Sequence, residues 1–130
     1  MGKARVERIV VERTGAVLAA RARVARGFWQ RFRGLMLTSA PEPGEGLLLE
    51  PANSIHMFFM RYPLDVVHVA RDGRVLRVLR GIRPWRVGPL VLRSRWVLEL
   101  PAGAAADVRE GDALRRLATE QPDEPGSASA

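Results

Sequence analysis

A chain of 130 residues with 47% hydrophobic content has the material for one cored domain and lacks the composition of a disordered one. It contains no cysteine, which excludes disulfides, thiolate metal sites and a cysteine nucleophile. The formal net charge is +7, and the longest apolar runs fall far short of the roughly 18–20 residues that a membrane-spanning helix needs.

The first residues carry Lys3, Arg5, Glu7 and Arg8 with no apolar stretch of the signal-peptide kind, so a soluble, cytoplasmic protein is expected. Arg5–Arg13 alternates, with Val6, Arg8 and Val10 on one face and Glu7, Ile9 and Val11 on the other, the period of a strand. Thr14-Gly15 signals a turn, and Ala16–Ala25 resumes as a strand. The period then changes. Phe28, Phe32, Leu35 and Met36 follow the apolar stripe of a short helix, expected near residues 27–37. Thr38–Gly46, rich in Pro and Gly, reads as a loop.

Leu47–Leu49 is a short buried strand stopped by Pro51. Ile55–Met60 is expected to be another, apolar on both faces except at His56. Tyr62-Pro63 forces an extended or turning backbone before the strand Leu64–Val69. Asp72-Gly73 is a strong hairpin signal leading into Arg74–Leu79. Gly81–Pro89 is irregular around Trp85. Arg95–Leu100 alternates again, turns at Pro101-Ala102-Gly103, and is followed by a last short strand over Asp112–Leu117. The fold class is therefore mainly β: a single-domain sandwich or barrel of short strands with one short helix, spanning residues 1–118. The acidic, Ser/Pro/Gly-containing segment 119–130 is expected to be a disordered tail.

The segments Arg33-Gly34-Leu35-Met36, Ser54–Val67, Asp72-Gly73-Arg74-Val75, Val97–Gly103 and Gly111-Asp112 occur in an order that resembles the domain of unknown function 192 family. The resemblance covers about Val17 to Leu117. It implies a small mainly-β domain and no settled biochemical activity. Within that family the chain looks like the branch with Ile-His-Thr-Phe followed by Met-Arg-Phe-Pro. It departs at Met57, which lacks the threonine hydroxyl of that branch, and at Tyr62, where Phe is usual.

His56 and Asp65 form the first pair of chemical interest. A carboxylate beside an imidazole could support general base work or half of a metal site. The bland alternative is that Asp65 accepts hydrogen bonds from turn amides and His56 satisfies a core partner. A zinc site needs three or four ligands. The other histidine, His68, has the opposite strand parity from Asp65, so no metal or cofactor is expected. Arg33, Arg61 and Glu99 form a second set, suited to a buried Arg–carboxylate staple or, for the two arginines, an anion site. The recurrence of Arg71, Arg74, Arg77, Arg80, Arg83 and Arg86 around Trp85 suggests an acidic macromolecule or small anionic ligand as partner. Lys3 is the single lysine, and an arginine-for-lysine bias of a GC-rich genome explains the same charge without selection.

Three functions fit these residues. The preferred one is a non-enzymatic binding or accessory domain with a cleft at the 54–65 strand corner, lined by His56, Met60, Arg61, Tyr62, Asp65, Trp85 and Arg33. The second is a hydrolase-like enzyme using His56 with Asp65. The third is a nucleic-acid or acidic-partner binder acting through its arginine-rich surface.

Overall fold

Alternating segments fold as strands wherever the chain is described. The structure, a computed structural model, describes residues 5–26, 41–52, 62–83 and 90–119. The strands are β1 Arg5–Val11, β2 Val17–Ala25, β3 Glu45–Leu49, β4 Leu64–Val69, β5 Val75–Ile82, β6 Trp96–Pro101 and β7 Leu114–Ala118. No helix occurs among the described residues. The helix expected near residues 27–37 and the strand expected at Ile55–Met60 lie outside them, as does the tail beyond Thr119.

All seven strands join one sheet in the order β5-β4-β6-β3-β2-β1-β7. Neighbours run antiparallel except β2 and β3, which are parallel and are joined by a connection of 26–44. The sheet curls until its two ends touch. Arg74 bridges Ala113, the Val75 amide donates to the Asp112 carbonyl at 2.8 Å, and the Leu114 amide donates to the Gly73 carbonyl at 2.8 Å. Beyond this bridge β5 and β7 form no ladder and remain the two ends of the sheet order. The segment 102–112 covers β5 instead: the Gly111 amide donates to the Val75 carbonyl, and the Arg80 guanidinium donates to the carbonyls of Ala105 and Val108. The result is a barrel closed at one point and sealed by a loop.

The inner face holds the main core, with Ile9, Val11, Ala19, Ala22, Leu48, Val67, Val69, Val75, Trp96, Leu98, Leu100 and Leu114 contributed by all seven strands. Ala105 and Val108 of the sealing loop complete it. One end is capped by charge. Arg116 donates to Glu7 at 2.6 and 3.2 Å and to Glu50 at 3.1 Å, and its guanidinium lies 5.0 Å from the centroid of the Trp96 ring. Burial pushes the Glu7 carboxyl up, but the bonds from Arg116 and Arg5 outweigh it and hold Glu7 below the usual carboxylate range.

A second cluster lies on the opposite face of β5-β4-β6-β3. It contains Leu49, Leu64, Val66 and Val97, with Leu47, Tyr62, Leu79 and Ile82 packed against it. Strand β4 is therefore buried at every residue, and β6 at every residue but Pro101.

The junction makes a specific demand on Gly73. Its φ is +93°, and a Cβ there would stand 2.7 Å from the Leu114 carbonyl oxygen. Gly15 shares a positive φ of +75° but has open space around it. Gly73→Ala is expected to destabilise by roughly 2–4 kcal/mol, combining backbone strain with a clash against main chain, and Gly15→Ala by roughly 1 kcal/mol. Urea unfolding midpoints check this; equal losses would contradict the junction's role.

Candidate functional site

Asp65 is the first sequence-singled residue that the structure places. It is buried and shares its parity with Val67 and Val69, so it faces inward. Its Oδ1 accepts from the Gly81 amide at 2.9 Å, and its Oδ2 accepts from the amides of Gly103 and Ala105, both at 2.9 Å. One carboxylate thus ties the end of β5 and the start of the sealing loop to β4. This is the turn-amide role weighed for it in the sequence. Tyr62 packs on the outer apolar cluster. His56, Met60, Arg61, Trp85 and Arg33 lie outside the described residues.

The outer face brings together two polar residues that sequence parity alone did not join. On β4 and β6, His68 is paired with Val97, and Val66 with Glu99. His68 and Glu99 are therefore diagonal neighbours on the same face. The row of Glu99 also contains Leu47 and Leu79, and the row of His68 contains Leu49 and Arg77. His68 has 0% of its surface exposed and Glu99 2%.

Their bonding is incomplete. The Ser94 hydroxyl has the Ala52 carbonyl at 2.9 Å and the Trp96 carbonyl at 3.3 Å to donate to. Its oxygen consequently accepts the Nδ1–H of His68 at 3.2 Å. With the hydroxyl hydrogen given to Ala52, the imidazole carries its proton on Nδ1 and Nε2 is a bare acceptor. Nε2 of His68 and Oε2 of Glu99 are the two buried side-chain polar atoms among the described residues with no hydrogen-bond partner. The arginines expected to staple Glu99, Arg33 and Arg61, lie outside the described residues.

Burial, with no counter-charge among the described residues, pushes the Glu99 carboxyl up to about 8. Burial, together with the nearby Arg77 charge, pushes His68 down to about 4. At neutral pH the pair is uncharged: the acid can donate a hydrogen bond and the imidazole can accept one. Among the described residues there is no cluster of three or more acidic or histidine side chains able to hold a metal. His68 and Ser94 were not picked out from sequence as a site. The available signal was a histidine set among the valines Val66, Val67 and Val69 of β4, together with the glutamate set between Leu98 and Leu100 in β6.

The fold and this site define a small, partly open β-barrel with an uncharged polar pair buried on its outer face. The chain belongs to the family described as DUF192, uncharacterised ACR, whose model matches residues 9–116. It is 35% identical over 119 residues to a UPF0127 protein of Thermococcus gammatolerans, covering 87% of this chain and 77% of that one. It is 31% identical over 120 residues to a UPF0127 protein of Thermococcus kodakarensis, covering 87% and 75%. Two solved structures share the fold. One is a protein of unknown function from Novosphingobium aromaticivorans, with a TM-score of 0.72 and 24% identity over 85% of this chain and 83% of that one. The other, from Sinorhizobium meliloti, is described as a candidate transcription regulator, with a TM-score of 0.70 and 23% identity over 89% and 97%.

The pair predicts a particular pH profile of stability. A neutral glutamic acid in the fold with a raised value stabilises fully below about 4.5, the unfolded value, and that contribution is lost as pH rises to about 8. A neutral histidine with a lowered value does the reverse: stability falls as pH drops from 6.5 to about 4. The two slopes cancel between about 4.5 and 6.5. Between 6.5 and about 8 the Glu99 slope stands alone, at about 1.4 kcal/mol per pH unit. Denaturant unfolding across pH should show that alkaline decline in the native chain and its loss in Glu99→Gln.

Proposed function

We propose that this protein is a small, non-enzymatic binding domain whose ligand meets the outer face of β4 and β6 near the 54–65 corner. The observation that carries the reading is the Glu99 carboxyl, fully buried, uncharged and with Oε2 unpartnered. A buried polar atom with nothing to bond costs roughly 1–3 kcal/mol, and a bound molecule that meets it recovers much of that. Tyr62, the described residue of the 54–65 corner that packs on the same face, supports the reading. His56, Met60, Arg61, Trp85 and Arg33 remain the proposed further contacts. Asp65 acts from the inside of the barrel, its carboxylate engaged by three amides. A cytoplasmic setting is part of the same proposal; among the described residues no helix is long and apolar enough to cross a membrane.

A second reading, binding of an acidic macromolecule, is favoured by the exposure of Arg71, Arg74, Arg77, Arg83, Arg93 and Arg95. The two separate in one experiment. A small-molecule fragment screen by NMR should perturb Tyr62, His68 and Glu99 together, with binding little changed between low and high salt. Binding of a short anionic polymer that weakens steeply with salt, with those three resonances unmoved, would replace the first reading with the second.

A further inference from the structure

From the exposed arginines of the second reading, and independently of any ligand at the outer face, we propose that the 90–95 loop docks on an acidic phospholipid surface, with Leu90 and Leu92 entering the headgroup layer and the neighbouring arginines meeting its phosphates. The loop has a defined tip. The Ser94 amide donates to the Val91 carbonyl at 2.9 Å, so Val91–Ser94 is a tight turn with Leu92 and Arg93 at its centre. Leu92 is 78% exposed and Leu90 60%, the two highest values for large apolar side chains among the described residues. Arg95 anchors the turn. Its amide donates to the Val69 carbonyl at 2.7 Å, and its carbonyl accepts from the Ala52 amide at 3.0 Å. The tip is thereby held beside the end of β4 and the β4–β5 turn. That turn carries Arg71 and Arg74 and is closed by the Ala70 and Gly73 amides, each donating at 2.9 Å to the carbonyls of Arg74 and Ala70.

Charge surrounds the two leucines. Arg71, Arg74, Arg77, Arg93 and Arg95 are all exposed. None of the five forms an ion pair among the described residues. Arg77 lies across from His68, and Arg95 shares the parity of Val97, so both stand on the outer face at this end of the sheet. Asp72 is the one acidic residue in the two loops, and its Oδ1 accepts the Arg74 amide at 3.1 Å.

Each class of partner makes a different demand on such a surface. A single-stranded nucleic acid stacks its bases on aromatic side chains, and neither 70–74 nor 90–95 contains one. An acidic peptide seats apolar side chains in a groove, whereas Leu92 stands on a turn tip. A second copy of the chain would set arginines against arginines. A lipid interface takes both features together. Apolar side chains on a protruding turn enter the acyl boundary, and guanidinium groups stay at the level of the phosphates. Each basic residue beside an acidic leaflet strengthens attachment by about fivefold.

Sedimentation with vesicles of phosphatidylcholine, alone or mixed with phosphatidylglycerol, tests the docking, with an oligothymidylate as the competing polyanion. The native chain should bind the mixed vesicles at about 0.1 M salt and release them at about 1 M. Leu90→Ser/Leu92→Ser keeps the charge and changes only exposed side chains; it should bind about tenfold more weakly. Arg93→Gln/Arg95→Gln should lose about twentyfold or more. Insertion is read separately. The chain has no cysteine, so Leu92→Cys carries a single environment-sensitive dye. Mixed vesicles should shift its emission to the blue. A dye on Ala16→Cys, in the β1–β2 turn at the opposite end of the sheet, should not shift. Equal vesicle binding by the native chain and the leucine variant, or no shift at position 92, overturns the insertion and with it the proposal. Binding to the oligothymidylate without binding to vesicles replaces the lipid with nucleic acid. Binding to neither removes the docking surface and leaves the outer-face ligand reading standing.

Discussion

Burial of β4 and β6 on both faces is the constraint on which the rest of this structure depends. Their inner residues fill the barrel with those of five other strands, and their outer residues carry a second apolar cluster. An antiparallel strand with one wet face can place a polar residue there at no cost. Here neither face is wet, so every polar side chain on these strands must either find a partner or surrender its charge. Asp65 finds partners, three backbone amides at 2.9 Å. His68 finds one, in Ser94, and stays neutral. Glu99 finds none among the described residues and stays protonated.

Charge is handled differently elsewhere in the barrel. Glu7 is also buried, but the Arg116 guanidinium meets it with two bonds and continues to Glu50. Removing a partner from such a network leaves an uncompensated charge, so the network serves as a fixed cap on the core beside Trp96. The contrast separates the two kinds of buried acid. The paired ones tie separate strands and loops together; the unpaired one leaves a carboxyl oxygen without a partner on the outer face, where Tyr62 also packs. Sheet closure is a further fixed element, since Gly73 permits an approach to Leu114 that no side chain could tolerate.

Most of the strand pattern was legible in the sequence because period-two alternation and turn residues are local signals. Leu64–Val69 matches the strand read from sequence end to end, and Asp72-Gly73 does form the β4–β5 hairpin. Arg74–Leu79 and Arg95–Leu100 differ from the observed β5 and β6 only at their ends. Closure of the sheet was not legible. Arg74 and Ala113 meet across 39 residues, and no local pattern announces the contact. The same limit explains the site. His68 and Glu99 each stood out in an apolar strand, but their common face follows from the β4–β6 register, which links Val66 to Glu99 across 33 residues. Sequence parity correctly set His68 apart from Asp65; it could not say which residue His68 stood beside. Arg116, which meets Glu7 from 109 residues away, was equally beyond local reading.

The protonation state of Glu99 tests the central claim most directly. The carboxyl carbon of a selectively labelled Glu99 can be followed by NMR across pH in the intact chain. The account predicts a resonance of the protonated acid through neutral pH, with a midpoint near 8. Titration at the ordinary glutamate value of about 4.3 would contradict it, because it would mean that water or a cation already meets the carboxylate.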